Sequence, residues 1–186
     1  MNLWTEVHWS EGLFLRPHHL QASQRWMETV LRAGLDSVRP FGWGFVNLSI
    51  APEPLENFTL RLDGCSVRMK DGTWVQIPEN TQVPPLNFKD ALEAGHGEVG
   101  ISFGIPQMQE VRANAVSLQE PEKVDGTPRF EPHSVLRRDE NTGGNPQMIY
   151  VRHIRGRLFT ADEDMTGYET VRLGRVRRTD RPGSLT

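Results

Sequence analysis

The sequence predicts a mainly β protein, in which an antiparallel β-sandwich follows an N-terminal arm and one amphipathic helix. The 13 prolines and 17 glycines lie mostly beyond residue 34, where they separate short runs rich in β-branched and aromatic residues. Helical spacing of apolar residues is clearest from His18 to Ala33, at Leu20, Met27, Val30 and Leu31. A chain of 186 residues is long enough for one domain with a buried core.

The predicted helix spans residues 18–33 and follows an arm of residues 1–17. Pro17 suits the first turn of a helix, where its missing N–H would be unpaired in any case. Gly34 can adopt the left-handed conformation that ends many helices, so we expect the helix to stop there. Residues 18–178, including the helix, are assigned to the sandwich domain, and residues 179–186 to a polar tail.

Nine segments have the composition of β-strands. They are residues 44–50, 58–62, 66–70, 73–77, 99–105, 111–118, 148–154, 157–160 and 169–176. Asp71-Gly72 lies between two of them and predicts a two-residue hairpin turn, in which both central residues have positive φ. Proline, charge and Gly-Asn content predict loops at residues 82–86, 119–129 and 139–146.

Composition argues against several classes of protein. The formal net charge is only -3, which disfavours binding to nucleic acid or to an anionic membrane. Cys65 is the single cysteine, so an intramolecular disulfide cannot form and a reducing cytoplasm is the expected compartment. No segment approaches the roughly 20 apolar residues of a membrane span, and the N-terminus lacks the pattern of a signal peptide.

Positive charge is concentrated toward the end of the chain. From Arg137 onward, ten arginines stand against seven acidic residues, a net charge of +3. Between Tyr168 and Arg178 the arginines partly alternate with apolar residues, as on the exposed face of a strand. Two interpretations stay open for this segment, a solvated strand face or a surface that binds a partner.

One motif resembles a catalytic site. Gly100-Ile101-Ser102-Phe103-Gly104 matches the pattern G-x-S-x-G, which forms the nucleophile elbow of many hydrolases. An elbow requires a turn between a strand and a helix. Here the alternation of apolar and small residues typical of a strand continues through Ser102, and Pro106 prevents a helix from starting soon after it. A serine hydrolase that uses Ser102, with His133 or His153 as its base, is kept as an alternative function.

Metal and cofactor sites are not expected. No two of the six histidines are three to five residues apart, and His18 and His19 would point about 100° apart on a helix. Asp162-Glu163-Asp164 lacks the ligand spacing of a calcium loop, and no phosphate-binding loop occurs. We therefore expect no metal, no cofactor and no enzymatic activity.

The first 26 residues are rich in large apolar side chains, namely Trp4, Trp9, Leu13, Phe14, Leu15 and Trp26. Either this arm folds onto the sandwich, or it binds a partner as an extended anchor in which the aromatic residues dominate. Within it, Trp9 to Gln21 (WSEGLFLRPHHLQ) resembles the signature W-x-E-G-x-x-L-x-P-x-H-[LF]-Q. That signature opens the TssK family of type VI secretion baseplate proteins, also called ImpJ or VasE.

The resemblance implies an N-terminal shoulder domain, similar to the β-sandwich shoulder of phage receptor-binding proteins. It implies a structural adaptor that binds the TssF and TssG wedge proteins. The full-length protein would be a homotrimer at the cytoplasmic face of the bacterial inner membrane, where a C-terminal neck and head reach the TssL and TssM membrane complex. That neck and head would follow residue 186, so the present chain can be a monomer.

The signature supplies the candidate partner-binding residues. They are Trp9, Glu11, Gly12, Leu13, Phe14, Leu15, Pro17, His19 and Gln21. Gly12 would permit a tight turn, and the apolar side chains after it would each contribute about 1.5–3 kcal/mol if fully buried. The resemblance does not separate residues that contact the wedge from residues that pack within the domain. A carbohydrate-binding module, suggested by the phage-like architecture and five tryptophans, is a second alternative.

Overall fold

The structure is a computed structural model that describes residues 4–119 and 126–178. The chain divides into two compact units, Met1–Trp43 and Gly44–Thr186. The predicted tail at residues 179–186 and much of the predicted loop at residues 119–129 lie outside the described residues. The division into arm, sandwich domain and tail therefore stays a prediction as a whole.

The first unit contains the arm and one long helix, α1 (Pro17–Val38). Pro17 is the first helical residue, as predicted, but the predicted end at Gly34 is wrong, because the helix continues for four more residues. A glycine inside a helix costs about 1 kcal/mol relative to alanine, which a long helix tolerates. The helix ends where the Arg39 N–H donates a hydrogen bond to the Leu35 carbonyl at 2.8 Å.

The second unit is built from short strands and two short helices. Its described strands are β1 (Gly44–Ile50), β2 (Thr59–Leu60), β3 (Leu62–Arg68), β4 (Trp74–Ile77), β5 (Thr81–Gln82), β6 (Leu86–Asn87), β7 (Glu98–Pro106), β8 (Phe130–Arg137), β9 (Gln147–Arg155), β10 (Arg157–Thr160) and β11 (Tyr168–Arg177). The helices are α2 (Pro52–Leu55) and α3 (Lys89–Ala94), neither of which the sequence predicts. The predicted mainly β class is confirmed.

The described strands form three three-stranded sheets and one two-stranded pair. The orders are β1-β3-β4, β10-β7-β11 and β5-β9-β8, with β2 beside β6. Every described pair is antiparallel except β5 with β9, which run parallel. Residues of all three larger sheets share one hydrophobic core, for example Val67, Phe103 and Ile154. Cys65 also lies there, and burial raises the pKa of its thiol to about 11.

Most predicted strand segments are confirmed. β1 and β10 have the predicted bounds, and β7, β9 and β11 are each one residue longer at both ends. The predicted segments 58–62 and 66–70 fold instead as β2 and a continuous β3. Residues 111–118 do not form the predicted strand, since they contain a single bridge from Ala115 to Phe130.

The sequence does not predict β8, which contains a proline. β8 is an edge strand, paired with β9 alone among the described strands. The Arg155 N–H donates to the Arg129 carbonyl at 2.9 Å, so these two residues form a hydrogen-bonded pair. Hydrogen-bonded and non-hydrogen-bonded pairs alternate along an antiparallel ladder, which makes Pro132 and Arg152 a non-hydrogen-bonded pair. The missing N–H of Pro132 therefore costs the sheet no hydrogen bond.

The predicted turn at Asp71-Gly72 is present, but its predicted geometry is wrong. The Met69 N–H donates to the Thr73 carbonyl at 2.8 Å and the Gly72 N–H to the Met69 carbonyl at 3.0 Å, so the loop has three residues. Gly72 has a φ of 85°, whereas Asp71 does not have a positive φ. These values fit a type I turn followed by a glycine bulge.

A buried arginine joins this hairpin to two other segments. Arg129 is 2% exposed, and its guanidinium donates to the Asp71 carboxylate at 2.7 Å, to the Thr73 hydroxyl and to the Pro106 carbonyl at 2.8 Å. Burial raises the pKa of Asp71, but the Arg129 charge and the hydrogen bonds from Thr73 and Arg129 outweigh it, so the net pKa lies below its usual value.

Gly156 alone separates β9 from β10, which belong to different sheets. A Cβ at this position would lie 2.7 Å from Val83 Cγ2, 2.9 Å from Phe103 Cε2 and 2.9 Å from Thr81 Cγ2. These distances are too short for any side chain, so only glycine permits the close approach. The chain consequently passes from one sheet to the next without a loop.

Replacing Arg129 by methionine should lower the free energy of unfolding by about 3–5 kcal/mol, because the partly buried Asp71 carboxylate loses its counter-charge. Urea denaturation measures this loss. Arg61→Met is the matched control, since Arg61 is exposed and pairs with exposed Asp63 at 3.0 Å, a contact worth at most about 1 kcal/mol. Equal losses in the two variants would contradict the role of Arg129.

The stabilisation that ionised Asp71 provides should disappear in acid. Because its folded-state pKa is lowered, this stability is fully present above the unfolded value of about 3.9 and is lost as the pH falls through the folded pKa. The difference in unfolding free energy between the natural chain and Asp71→Asn should therefore be large near neutral pH and shrink below about pH 4. Urea denaturation across this range measures it, and a constant difference would refute the assignment.

Candidate partner-binding surface

The first unit buries none of its described residues. No residue from 4 to 43 is buried. Its exposed large apolar side chains are Trp4, Trp9, Leu13, Phe14, Leu15, Leu20, Met27, Val30, Leu31, Leu35, Val38, Phe41 and Trp43. Soluble proteins rarely present so many exposed apolar side chains along one segment unless a partner covers them. This unit is therefore the candidate partner-binding surface.

A tight turn shapes the arm at the signature residues. The Leu13 N–H donates to the Ser10 carbonyl at 3.2 Å, which closes a four-residue turn with Glu11 and Gly12 at its centre. Gly12 has a φ of 79°, as the third residue of a type II turn requires, and a side chain there would be strained. The turn expected at Gly12 is thus confirmed, and it leaves the Glu11 side chain exposed.

Three consecutive apolar side chains follow the turn. The exposed fractions are 36% for Leu13, 79% for Phe14 and 54% for Leu15. Full burial of such a side chain contributes about 1.5–3 kcal/mol, so the exposed part of each one leaves some of that free energy available to an interface. Whether the arm packs onto the sandwich or binds a partner stays a prediction.

Pro17 and His19 define the junction of the arm and α1. The Arg16 N–H donates to His19 Nδ1 at 3.0 Å, and the His19 N–H donates to the Arg16 carbonyl at 3.0 Å. His19 thus accepts a hydrogen bond from a backbone N–H that would otherwise be unpaired, as the third helical residue of a capping box does. The Trp9 and His19 rings lie 6.4 Å apart between centroids, at 51°. Gln21 follows on the same helix and is exposed.

α1 has exposed apolar side chains along one side. The stripe that they form consists of Leu20, Met27, Leu31, Leu35 and Val38. At 3.6 residues per turn these five side chains lie within about 80° of the helix circumference. The charged pairs Arg25–Glu28 and Arg32–Asp36 lie to one side of it. Leu35 and Val38 lie beyond the predicted end of the helix, although their spacing continues the same pattern.

The catalytic alternative lacks the necessary geometry. Ser102 lies in the middle of β7, opposite Phe159 on β10 and Arg172 on β11, so the G-x-S-x-G match does not form an elbow. The two candidate bases stack on each other instead, with 4.2 Å between the ring centroids of His133 and His153. Burial, followed by the proximity of His133, lowers the pKa of His153.

Two other kinds of functional feature are absent from the described residues. Among them, no three His, Cys, Asp or Glu side chains are grouped closely enough to bind a metal ion. None of the described helices combines the length and the apolar character that crossing a membrane requires.

Known proteins that resemble the chain include type VI secretion proteins. A family model described as Bacterial Type VI secretion, VC_A0110, EvfL, ImpJ, VasE matches residues 19–186. The chain is 29% identical over 182 residues to the type VI secretion system baseplate component TssK1 of Pseudomonas aeruginosa. That alignment covers 96% of this chain and 40% of TssK1, so the chain spans less than half the length of this relative.

Solved structures of similar proteins share the fold. A cryo-electron microscopy structure of a TssK-TssF-TssG baseplate subcomplex matches with a TM-score of 0.84 at 18% identity, over 98% of this chain and 59% of the other. A crystal structure of TssK matches with a TM-score of 0.80 at 23% identity, over 97% of this chain and 40% of the other. At these identities the likeness demonstrates a common fold.

Replacing His19 by alanine should lower the hydrogen-exchange protection of the first turn of α1 by about 1 kcal/mol, because the Arg16 N–H loses its acceptor. Amide exchange followed by NMR measures the change. His18→Ala is the matched control, because the neighbouring His18 side chain makes no hydrogen bond within the described part of the chain. Equal amide exchange rates in the two variants would show that the hydrogen bond to His19 Nδ1 does not stabilise the first turn of α1.

Proposed function

Because the chain belongs to the bacterial type VI secretion family that includes ImpJ and VasE, we propose that it is a structural adaptor of the secretion baseplate. The observation that supports this role is the first unit, which exposes aromatic and aliphatic side chains and buries none of residues 4–43. A relative along 96% of this chain is itself described as a baseplate component. An adaptor of this kind acts by surface complementarity and needs no reacting group.

The partners in this proposal are TssF and TssG. A solved relative with the same fold forms a TssK-TssF-TssG subcomplex, which supports the same pairing here. The contact residues are Trp9, Leu13, Phe14, Leu15 and Gln21, which all have exposed side chains. Aromatic side chains that enter a pocket commonly contribute most of the binding free energy of an interface.

Other signature residues position these contacts. Gly12 supplies the positive φ of the turn, Pro17 begins α1, and His19 accepts the hydrogen bond that joins the arm to the helix. Glu11 sits in the turn itself. An arm with a preformed turn and a fixed helix start loses less conformational entropy on binding than a disordered arm would. We assign these four residues to preorganisation of the anchor.

Further assembly is assigned to parts of the relatives outside the matched region. The alignment covers 40% of TssK1. In our proposal the remaining part mediates formation of a homotrimer and contact with the TssL and TssM membrane complex, at the cytoplasmic face of the inner membrane. The present chain then contributes the shoulder, which holds the TssF and TssG wedge.

Replacing both Phe14 and Leu15 by alanine should weaken binding to the purified TssF–TssG complex by at least about tenfold. Loss of one well-buried apolar contact already exceeds the roughly 1.4 kcal/mol that a tenfold change represents. Titration calorimetry measures the affinity.

Leu136→Ala is the matched control for this experiment. Leu136 is 61% exposed on β8, in the second unit and outside the candidate partner-binding surface. This variant should bind TssF–TssG within about twofold of the natural chain. Unchanged affinity of the Phe14 and Leu15 variant, or an equal loss in Leu136→Ala, would exclude the arm as the anchor.

A further inference from the structure

β11 is a long strand with an unpaired edge. It has ten residues and pairs with β7 along one side, while no described strand pairs with its other side. The edge of a sheet presents a row of N–H and C=O groups to which another extended chain can add. β11 is therefore a candidate for the addition of a further strand.

Two hydrogen bonds identify the backbone groups on the open side of β11. The Gln107 N–H donates to the Gly167 carbonyl at 2.8 Å, and the Arg178 N–H donates to the Gly97 carbonyl at 2.9 Å. Hydrogen-bonded and non-hydrogen-bonded pairs alternate along an antiparallel ladder. Gly167 and Arg178 are thus hydrogen-bonded to the β7 side. Inward from each of these two residues, beginning with its neighbour, every second residue of β11 points its backbone N–H and C=O away from β7. These outward-facing positions are Tyr168, Thr170, Arg172, Arg175 and Arg177.

Three of these five outward-facing positions are arginines. The side chains of Arg172, Arg175 and Arg177 are exposed on the outer face of the sheet, whereas Val171 and Val176 point into the core. Opposite charges on neighbouring strands stabilise a sheet when their side chains share one face. These arginines therefore favour an added strand that carries Glu or Asp at every second residue.

The same charges disfavour a second copy of this edge as the occupant. Two antiparallel β11 strands paired through their arginine-rich halves would place arginines beside one another, and like charges on neighbouring strands destabilise the pair. The only acidic partner seen at these arginines among the described residues is Glu98, which contacts Arg175 at 2.7 Å from within the sheet. The partner must therefore bring acidic residues of its own.

We propose that the open edge of β11 binds an extended acidic segment of another protein, which adds to the sheet β10-β7-β11 as a fourth strand. Main-chain hydrogen bonds at Thr170, Arg172, Arg175 and Arg177 provide the affinity, and the arginines select the acidic sequence. Tyr168 is excluded because its N–H already donates to the Met165 carbonyl at 3.0 Å. The bulge at Leu173, between Arg172 and Gly174, increases the local twist and sets where the added strand must bend. This surface lies outside the arm, and the proposal does not depend on the proposed function.

Fluorescence anisotropy with two labelled peptides tests the proposal. The probes are peptides of about eight residues, one alternating Glu with Val and the other alternating Lys with Val. The intact chain should bind the acidic peptide at about 50 mM salt, less tightly as salt increases, and should not bind the basic one. If the acidic peptide did not bind, the arginines and the bulge would only protect the edge against aggregation, and the proposal would be wrong.

Variants at Thr170 separate strand addition from simple charge attraction. Thr170→Pro removes an outward-facing N–H and no hydrogen bond to β7, so it should weaken binding of the acidic peptide by about fivefold. Thr170→Val keeps the N–H and should bind like the natural chain. Equal binding by these two variants would show that the peptide is held by charge alone, which would overturn the addition of a strand.

Charge reversal tests the role of the arginines. Arg172→Glu combined with Arg177→Glu should weaken binding of the acidic peptide by at least about tenfold. Arg137→Glu is the matched control, because Arg137 is an exposed arginine on β8, in another sheet. Circular dichroism verifies that each variant is folded. An equal effect of the control would assign the binding to net charge and contradict a specific site on β11.

Discussion

The arrangement of the sheets depends on the buried guanidinium of Arg129 and its ion pair with Asp71. A charge in the core is tolerated only when its hydrogen bonds are satisfied, and Arg129 obtains its acceptors from the β3–β4 hairpin and from the end of β7. These acceptors converge only when the hairpin, β7 and the start of β8 are correctly placed. We therefore infer that the ion pair favours this packing of the strands over others.

The parts of the fold that could be predicted are those that local sequence determines. β1 and β10 follow from runs of suitable residues, but β8 could not be found, because Pro132 is acceptable only at a strand edge that the sequence does not reveal. Residues 111–118 have strand composition, yet only Ala115 pairs with a strand residue, Phe130 at the start of β8, so they form no ladder. The helix end was misplaced because the cost of Gly34 is small beside the hydrogen bonds of further turns.

The candidate surface was partly predictable for the same reason. A glycine in a short polar turn and a proline before a helical pattern are local signals, so Gly12 and Pro17 have the roles expected of them. The contacts of Arg129 are not local, since Asp71 lies 58 residues away and Pro106 lies 23 residues away along the chain. Exposure is likewise a property of the folded molecule, which composition alone does not reveal.

Gly156 has a mechanical consequence. Gly156 alone connects β9 to β10, which belong to different sheets. The connection therefore contains no loop that could extend when the two sheets are pulled apart. Force applied to the β8–β9 ribbon is transmitted through covalent bonds to β10 and then, across its ladder, to β7. A loop at this junction would stretch before it transmitted a load. The second unit can therefore behave as a stiff element whose far sheet responds when the ribbon is pulled.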